Sequence, residues 1–448
     1  MKRFHKGGVH PAENKLSAGS PIREAALPRQ AVFSLSQHIG APATPVVKRG
    51  DAVKVGTLLA EAAGFVSAAV HSSVSGKVSK IDLVVDASGT RRQAILVDVE
   101  GDEWEETIDR SPTLVRLADR PDLDAATIIR RVKEAGIVGM GGATFPTHVK
   151  LSPPPGTKAE CVIINAVECE PYLTADHQLM LEHADEILVG TQLLMKAVGV
   201  EVAYIGIENN KPDAIQKMRT CARQTPGIEI VPLKVQYPQG GEKQLIEAIT
   251  GREVPAPPAI PISVGAVVQN VGTAYAVYQA VMKNRPLIDR IITVTGKNLA
   301  RPSNLLARLG TPMQQLVDEC GGLPEGTGKV VGGGPMMGKA LLTLDVPMTK
   351  GSSGLLLLDE REAVRAEVEP CIRCAKCVQA CPMGLEPYLL SDHGILSDWE
   401  GAERDDVTLC IECGSCQFAC PSHRPLLDNI RVGKGTVMAL IRSRAQQK

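Results

Sequence analysis

The chain has 448 residues, 44% of them hydrophobic and 22% charged, and its 49 Lys and Arg against 50 Asp and Glu leave a formal net charge of −1. So even a balance supplies no overall field to gather nucleic acid or an anionic bilayer, and 3% aromatics provide no extended base-stacking platform. At roughly 100–200 residues per domain, the length implies about three or four domains. No apolar run approaches the ~20 residues of a membrane span; the smoothest, 260–282, is interrupted by Ser263, Gln269, Asn270 and Thr273. The first residues, MKRFHKGGVHPAENK, lack the apolar core of a signal peptide. A soluble, cytoplasmic chain is expected, with no transmembrane segment of its own and no nucleic-acid partner.

Residues 1–30 are rich in glycine, proline and charge and read as an extended N-terminal arm. Over 31–110, short β-like runs alternate with turn signals: AVFSLSQ, PVVKRGDAVKVGTLLAEA, AAVHSSVSGKVSKIDLVV and QAILVDVE. VKRGDAVKVGTLLA and HSSVSGKVSKIDLV look alike, each a strand, a glycine turn and a strand. The pattern resembles the lipoyl- and biotinyl-carrier type of barrel-sandwich domain. Carriers present a lysine between the halves. Here that stretch runs from Phe65 to His71 without one, so a structural docking module with no covalent cofactor is expected.

Over 120–287 helices and strands alternate. The predicted order is helix AATIIRRVKEAG, strand CVIINAV, one long helix ADHQLMLEHADEILVGTQLLMKAVG, strand EVAYIGIE, helix PDAIQKMRTCARQ, strand IEIVPLKV and helix GEKQLIEAITG. Such alternation predicts an α/β domain on a largely parallel sheet. Residues 288–358 read as a small α+β unit and 360–430 as a cysteine-rich helical domain. The tail, 431–448, carries Arg431, Lys434, Arg442, Arg444 and Lys448 without acids. It reads as a solvated end, with a docking surface as the alternative.

Eight of the twelve cysteines fall between Cys371 and Cys420, which in a reducing compartment points to metal rather than disulfides. Cys371, Cys374, Cys377 and Cys381, followed by Pro382, make a C-x2-C-x2-C-x3-C-P run. Cys410, Cys413, Cys416 and Cys420, followed by Pro421, repeat it. Two-residue gaps let one loop wrap three thiolates around an iron–sulfide cube, and the fourth cysteine reaches the other cube. The spacing predicts two 4Fe–4S clusters. One is assigned to Cys371, Cys374, Cys377 and Cys420, the other to Cys410, Cys413, Cys416 and Cys381. Zinc knuckles would use two separated pairs of ligands. Cys161, Cys169, Cys221 and Cys320 read as packed thiols.

Clusters relay single electrons, so something upstream must supply them. The segment GIVGMGGATFPTHVK follows a helix and precedes a strand. Gly139, Gly141 and Gly142 would let backbone N–H groups approach a phosphate, and Lys150 adds a cation. It is neither a Walker loop nor the dinucleotide G-x-G-x-x-G. The next strand ends in Asn165, Glu168 and Glu170, where an α/β sheet places ligand contacts; a solvated acidic turn is the alternative. The loops starting at Tyr237 and Val268 are further polar strand ends.

Together these motifs resemble the FMN- and NADH-binding subunit of respiratory complex I. That family has a similar glycine-rich stretch ending F-P-T-x-x-K, then N-A-x-E-x-E-P, a Tyr-x-x-Gly loop and an N-V-x-T loop. The resemblance implies that Gly139, Gly141, Gly142 and Lys150 hold the phosphate of noncovalent FMN. It places Asn165, Glu168 and Glu170 along flavin and nicotinamide, Tyr237, Gly240 and Glu242 on the dinucleotide side, and Asn270 and Thr273 against FMN. Val167, Cys169 and Gly241 stand where that family has an acid, a serine and a glutamate, departures that bear on the NAD(H) contacts.

Over nearly the whole length, the order of motifs resembles the RnfC family, the peripheral NADH-side subunits of the bacterial Rnf complex. The order is the FHKGGVHP arm, the barrel sandwich, VGMGGATFPTHVKL, NAVECEPYLTADH, YPQGGEKQLI, VQNVGTAYAV, VTGKNLARPSNLLARLGTP and the double cysteine run. This resemblance implies a multidomain α/β and α+β chain. Its parts are a barrel sandwich, an α/β flavin domain, a β-grasp soluble-ligand-binding unit at 288–358 and a helical two-cluster ferredoxin-like domain. It also implies electron transfer between ferredoxin and NAD coupled to ion movement, with membrane-embedded and iron–sulfur Rnf subunits as partners, at the cytoplasmic face of the bacterial inner membrane. No catalytic acid or base is required beyond positioning. The cobalamin reductase of propanediol-utilisation microcompartments shares the flavin core, the β-grasp unit and the cysteines. A scaffold that had lost flavin would keep the cysteines alone. All three readings stay open at this point.

Overall fold

The computed structural model describes residues 1–446; Lys448 of the basic tail lies outside the described residues. In the central domain, Ile228–Leu233, Ala203–Glu208, Cys161–Asn165 and Ala266–Asn270 lie side by side in that order, all parallel. Strands this apolar are buried on both faces and need helices above and below. Ala125–Glu134, Ala184–Val198 and Val271–Met282 pack as one layer, against Val162 and Ile164. Glu242–Thr250 covers the other face, against Ile163 and Val268. The register sets Asn165 directly opposite Asn270, so two amides leave the sheet together.

The long helix expected over 175–198 is two helices, Ala175–Glu182 and Ala184–Val198, parted at His183 with φ −126°. The break lets each piece serve a different partner. The first packs on the strand Asp289–Thr295 of the next domain, the second on the central sheet. The second also meets Val271–Met282 at Gly190, where an added Cβ would lie 1.9 Å from the Ala274 carbonyl oxygen.

The N-terminal barrel sandwich is a four-stranded and a three-stranded sheet closed around Phe33, Leu35, Leu59, Val74, Ile95 and Val97. Its tip is clamped. His148 Nε2 lies 3.0 Å from the Phe65 carbonyl oxygen. Lys350, fully buried, donates to the carbonyls of Ala69 (2.6 Å) and Gly136 (2.7 Å). The barrel is therefore built against the glycine-rich segment.

The third sheet runs Ile22–Glu24, Ser303–Arg308, Asp289–Thr295, Gly354–Asp359, Thr327–Gly332 and Lys339–Ala340. Beyond it lie the helices of the cysteine-rich domain, ending in Leu426–Gln446. That last helix buries Leu426, Leu427, Ile430, Gly433 and Val437. Arg431 and Lys434 pair with Glu412, at 3.2 and 3.0 Å. The start of the basic tail is thus packed structure over the second cysteine run, and not a solvated end.

The arm crosses every domain. Phe4 is fully buried. Gly8 N donates to the Ala380 carbonyl (2.9 Å), and Val9 and Tyr237 exchange backbone hydrogen bonds of 2.8 and 2.9 Å. Ile22–Glu24 then pairs with Ser303–Arg308 as the outer strand of the third sheet. Gly7 has φ +70°, and a Cβ there would sit 2.5 Å from the Cys381 carbonyl carbon. Gly7→Val should detach the arm from the cysteine loop, since the left-handed backbone alone costs about 1–2 kcal/mol for a residue with a Cβ. Limited proteolysis should then cut within residues 1–20 markedly faster than in wild type; an unchanged rate would show that the arm is not held there.

Candidate flavin and iron–sulfur site

The glycine-rich segment is a tight hairpin. Gly139 N donates to the Phe145 carbonyl (2.9 Å) and Thr147 N to that of Ile137 (3.0 Å). Its tip is held from behind, where Met140 N donates to Thr273 Oγ1 (3.0 Å) and Arg290 donates to the Met140 carbonyl. Gly141 packs so closely on Asn270 that a Cβ would lie 2.8 Å from Asn270 Nδ2, whereas a Cβ on Gly142 would meet nothing within 4 Å. Asn270 caps Val271–Met282 by accepting from Gly272 N (2.8 Å), and it donates to Asp176 Oδ2 (2.8 Å). Lys150 Nζ donates to Glu242 Oε1 (2.7 Å) and to the Val268 carbonyl (3.1 Å). Asn165 Nδ2 donates to the Gly240 carbonyl (2.8 Å). Gly139, Gly141, Gly142, Lys150, Asn165, Gly240, Glu242, Asn270 and Thr273 are thereby gathered at the carboxyl ends of the parallel strands.

Three expected residues are engaged differently. The Glu168 carboxylate caps Ala175–Glu182, accepting from Asp176 N (2.8 Å) and His177 N (3.1 Å). Glu170 accepts from Met336 N (3.2 Å) and Met337 N (2.7 Å) of the third domain. Desolvation pushes its carboxyl up to about 7. Tyr237, buried, donates through Oη to the Cys413 carbonyl (2.8 Å) and so joins the flavin domain to the second cysteine run. Desolvation also raises Asp176 to about 6, with the Glu168 charge adding to it.

The sequence reading passed over Gln239 and Gln269. Both are buried, and neither amide atom of either has a hydrogen-bond partner. Gln239 sits inside the Tyr-x-x-Gly loop and Gln269 one residue before Asn270, so their neighbours were the available signal. Orphaned amides at a strand end, an open glycine rim and a capped helix N-terminus with Lys150 nearby suit a flavin mononucleotide: phosphate at the amides and cation, polar ring and ribityl atoms at the glutamines.

The two cysteine runs share one backbone path. Arg373 and Ala375 have φ +53° and +57°; at the matching positions Glu412 and Gly414 have +56° and +79°. Each run wraps inward, as a loop around a cube requires. Cys381, Cys410, Cys413 and Cys416 line one cavity, together with apolar neighbours including Met383 and Leu427. Desolvation raises Cys410 to about 11 and also lifts Cys413 and Cys416, the neighbouring thiols adding to each. Such a set suits a cationic iron core that binds thiolates and relieves that penalty. Cys371 and Cys374 are exposed, with Cys377 and Cys420 half-buried.

A parallel α/β crevice joined to two cysteine loops defines a flavin–iron–sulfur electron-transfer protein. Family models agree: the RnfC barrel sandwich hybrid domain matches residues 2–102, the Nuo51 FMN-binding domain 132–279, the SLBB domain 291–340 and a 4Fe–4S dicluster domain 370–424. The chain is 45% identical to the C subunit of the Na+-translocating ferredoxin:NAD+ oxidoreductase complex of Acetobacterium woodii, over 97% of both chains. It is 46% identical to the C subunit of the proton-translocating ferredoxin:NAD+ oxidoreductase complex of Clostridium ljungdahlii, over 87% of this chain and 84% of that one. For the C subunit of the ion-translocating oxidoreductase complex of Rhodobacter capsulatus the figures are 43%, 96% and 82%. The chain belongs to the RnfC family, the C subunits of these ion-translocating oxidoreductase complexes, and its cofactors are FMN and two 4Fe–4S clusters. A solved NAD+-reducing NiFe hydrogenase in its H2-reduced state shares the fold alone, at 21% identity and TM-score 0.50, over 70% of this chain and 62% of that one. No helix among the described residues is long and apolar enough to cross a membrane.

With its carboxyl raised to about 7, Glu170 favours the fold in its neutral form. The stability it contributes is full below the ordinary carboxylate pKa and is lost as pH rises towards 7. Glu170→Gln removes that titration. Urea unfolding at pH 5 and pH 8 should therefore show a smaller loss of stability with pH than in wild type; equal losses would exclude Glu170 as the source.

Proposed function

We propose that the chain moves electrons between NAD(H), its FMN and its two clusters as the peripheral, cytoplasmic-face part of a membrane ferredoxin:NAD oxidoreductase that translocates ions. We also assign membrane-embedded and iron–sulfur subunits of the same complex as its partners. One observation carries the reading. The loop from Tyr237 to Glu242 borders the flavin crevice through Asn165 and Lys150, and through Tyr237 it touches Cys413 of the thiol-lined cavity.

FMN held in the crevice would supply the exchange between two-electron hydride chemistry and the one-electron chemistry of the clusters. The chain supplies the setting. The amides of Gly141 and Gly142 and the first turn of Val271–Met282 would hold the phosphate, Gly139 shaping the hairpin that presents them and Lys150 supplying a positive charge. Asn165, Gln239 and Gln269 would orient the polar atoms of the flavin. Glu242 and the loop bearing Glu168 and Glu170 form the dinucleotide side. Tyr237 and Gly240 fill the space between crevice and cavity and keep water out of it. We assign Cys381, Cys410, Cys413 and Cys416 to the cluster nearer the flavin, and Cys371, Cys374, Cys377 and Cys420 to the outer one.

Lys150→Ala should lower FMN affinity by about one to two decades, because a charge-assisted hydrogen bond is worth about 1.5–3 kcal/mol; flavin fluorescence released on denaturation measures the occupancy. The function itself is tested by anaerobic mixing of the isolated protein with NADH. Flavin absorbance should bleach first and cluster absorbance after it. A flavin-loaded protein that stays oxidised under excess NADH would remove NAD(H) from the reading.

A further inference from the structure

Residues 167–173 join the strand Cys161–Asn165 to the helix Ala175–Glu182 and carry both carboxylates of the candidate dinucleotide side. Their backbone is strained: Glu168 has φ +48° and Tyr172 φ +69°, a region that residues with a Cβ enter only when their surroundings enforce it. Two lysines from outside the loop do so. Lys211, buried, donates to the Val167 carbonyl (2.8 Å). Lys15, from the N-terminal arm, donates to the carbonyls of Glu168 (2.9 Å), Glu170 (2.9 Å) and Leu173 (2.7 Å). Those three acceptors match the three N–H donors of one ammonium. The arm seats Lys15 on both sides. Tyr172 N donates to the Glu13 carbonyl (2.8 Å), and Ser17 Oγ lies 2.6 Å from Thr174 Oγ1.

We propose that Lys15 is a positioning residue for the redox site, holding the 168–170 backbone in the strained form that shapes the nicotinamide side of the flavin crevice, with Glu168 on its helix cap and Glu170 on the third domain. This rests on the NAD(H) reading above. Lys15 touches no substrate; it acts through the loop. The consequence is that the N-terminal arm, which lies outside the flavin domain, is part of how that domain handles its dinucleotide. The ammonium also places a desolvated positive charge beside the crevice.

The test uses the full-length, cofactor-loaded protein under anaerobic conditions, as wild type, Lys15→Met and Lys2→Met. Lys2 anchors the far end of the same arm through the Ile249 carbonyl, so its variant reports arm loosening alone. Three quantities are read: FMN content, the KM and kcat for NADH with ferricyanide as acceptor, and the flavin midpoint potential in a dithionite titration. Lys15→Met should keep FMN and raise KM roughly tenfold, the effect of the loop losing one charge-assisted contact to the dinucleotide, while kcat changes less. Its flavin potential should move to more negative values, because a nearby cation favours the reduced, anionic cofactor. Lys2→Met should leave all three unchanged. If Lys15→Met behaves as Lys2→Met does, Lys15 is only an arm anchor and the proposal is overturned. If Lys15→Met fails to fold, Lys15→Arg decides: its charge remains, but a planar guanidinium cannot meet three carbonyls converging on one point. KM should still rise with the potential unmoved, and a wild-type KM would overturn the proposal. If NADH reduces not even the wild type, the NAD(H) reading fails by itself. The potential then judges Lys15 alone, a negative shift upholding its place at the flavin and an unchanged value overturning it.

Discussion

Four parallel strands deliver their carboxyl ends to one rim, and that rim is crowded with carboxyl groups. Glu208 closes one strand, Glu168 and Glu170 follow another, and Asp176 begins the next helix. Desolvation pushes Glu208 and Glu170 to about 7 and Asp176 to about 6. Acids crowded into a place shielded from water must be answered by cations or they repel one another. The answer comes from outside the sheet: the charges of Lys15 from the arm, Lys211 from the turn after Glu208 and Arg290 from the third domain pull these acids back down. Each cation ties a different part of the chain to the rim, so the domain arrangement and the electrostatics of the site have one cause.

Lys350 and Arg290 extend the same logic behind the glycine hairpin. Lys350 bonds carbonyls of the barrel tip and of Gly136 and faces no carboxylate, and burial lowers it to about 7. Arg290 bonds the carbonyls of Met140 and Lys350. A glycine-rich loop has little side-chain packing to hold it. Here two cations from the third domain and the tip of the barrel fix it from the rear, leaving its front edge at Gly142 clear.

Legibility in the sequence followed the range of the interactions. The cysteine runs were readable because ligand spacing is local, and the same left-handed residues recur at Arg373 and Glu412. The flavin rim was readable because its glycines and strand-end amides form short motifs. Lys15 and Lys211 were not, since a lone lysine says nothing until the fold sets carbonyls around it. Helix 271–282 went unread because nearly every residue in it is buried, which erases the polar face that marks a surface helix. The break at His183 has no glycine or proline to announce it. Strand Gly354–Asp359 owes its place to non-local pairing with Asp289–Thr295, and Ser303–Arg308 is paired on its outer edge by Ile22–Glu24 of the distant arm. The fold of the barrel is visible in its repeats, but its clamp is not, since that lies in the distant Lys350 and His148.

The bond between Gly8 and Ala380 also sets an order for biosynthesis. The arm is made before the residues that seat it beside Cys381. Lys15 can meet its three carbonyls once the segment to Leu173 has been made. The cysteine loop, in contrast, receives the arm only after Ala380, so the two ends of the arm take their seats at different stages.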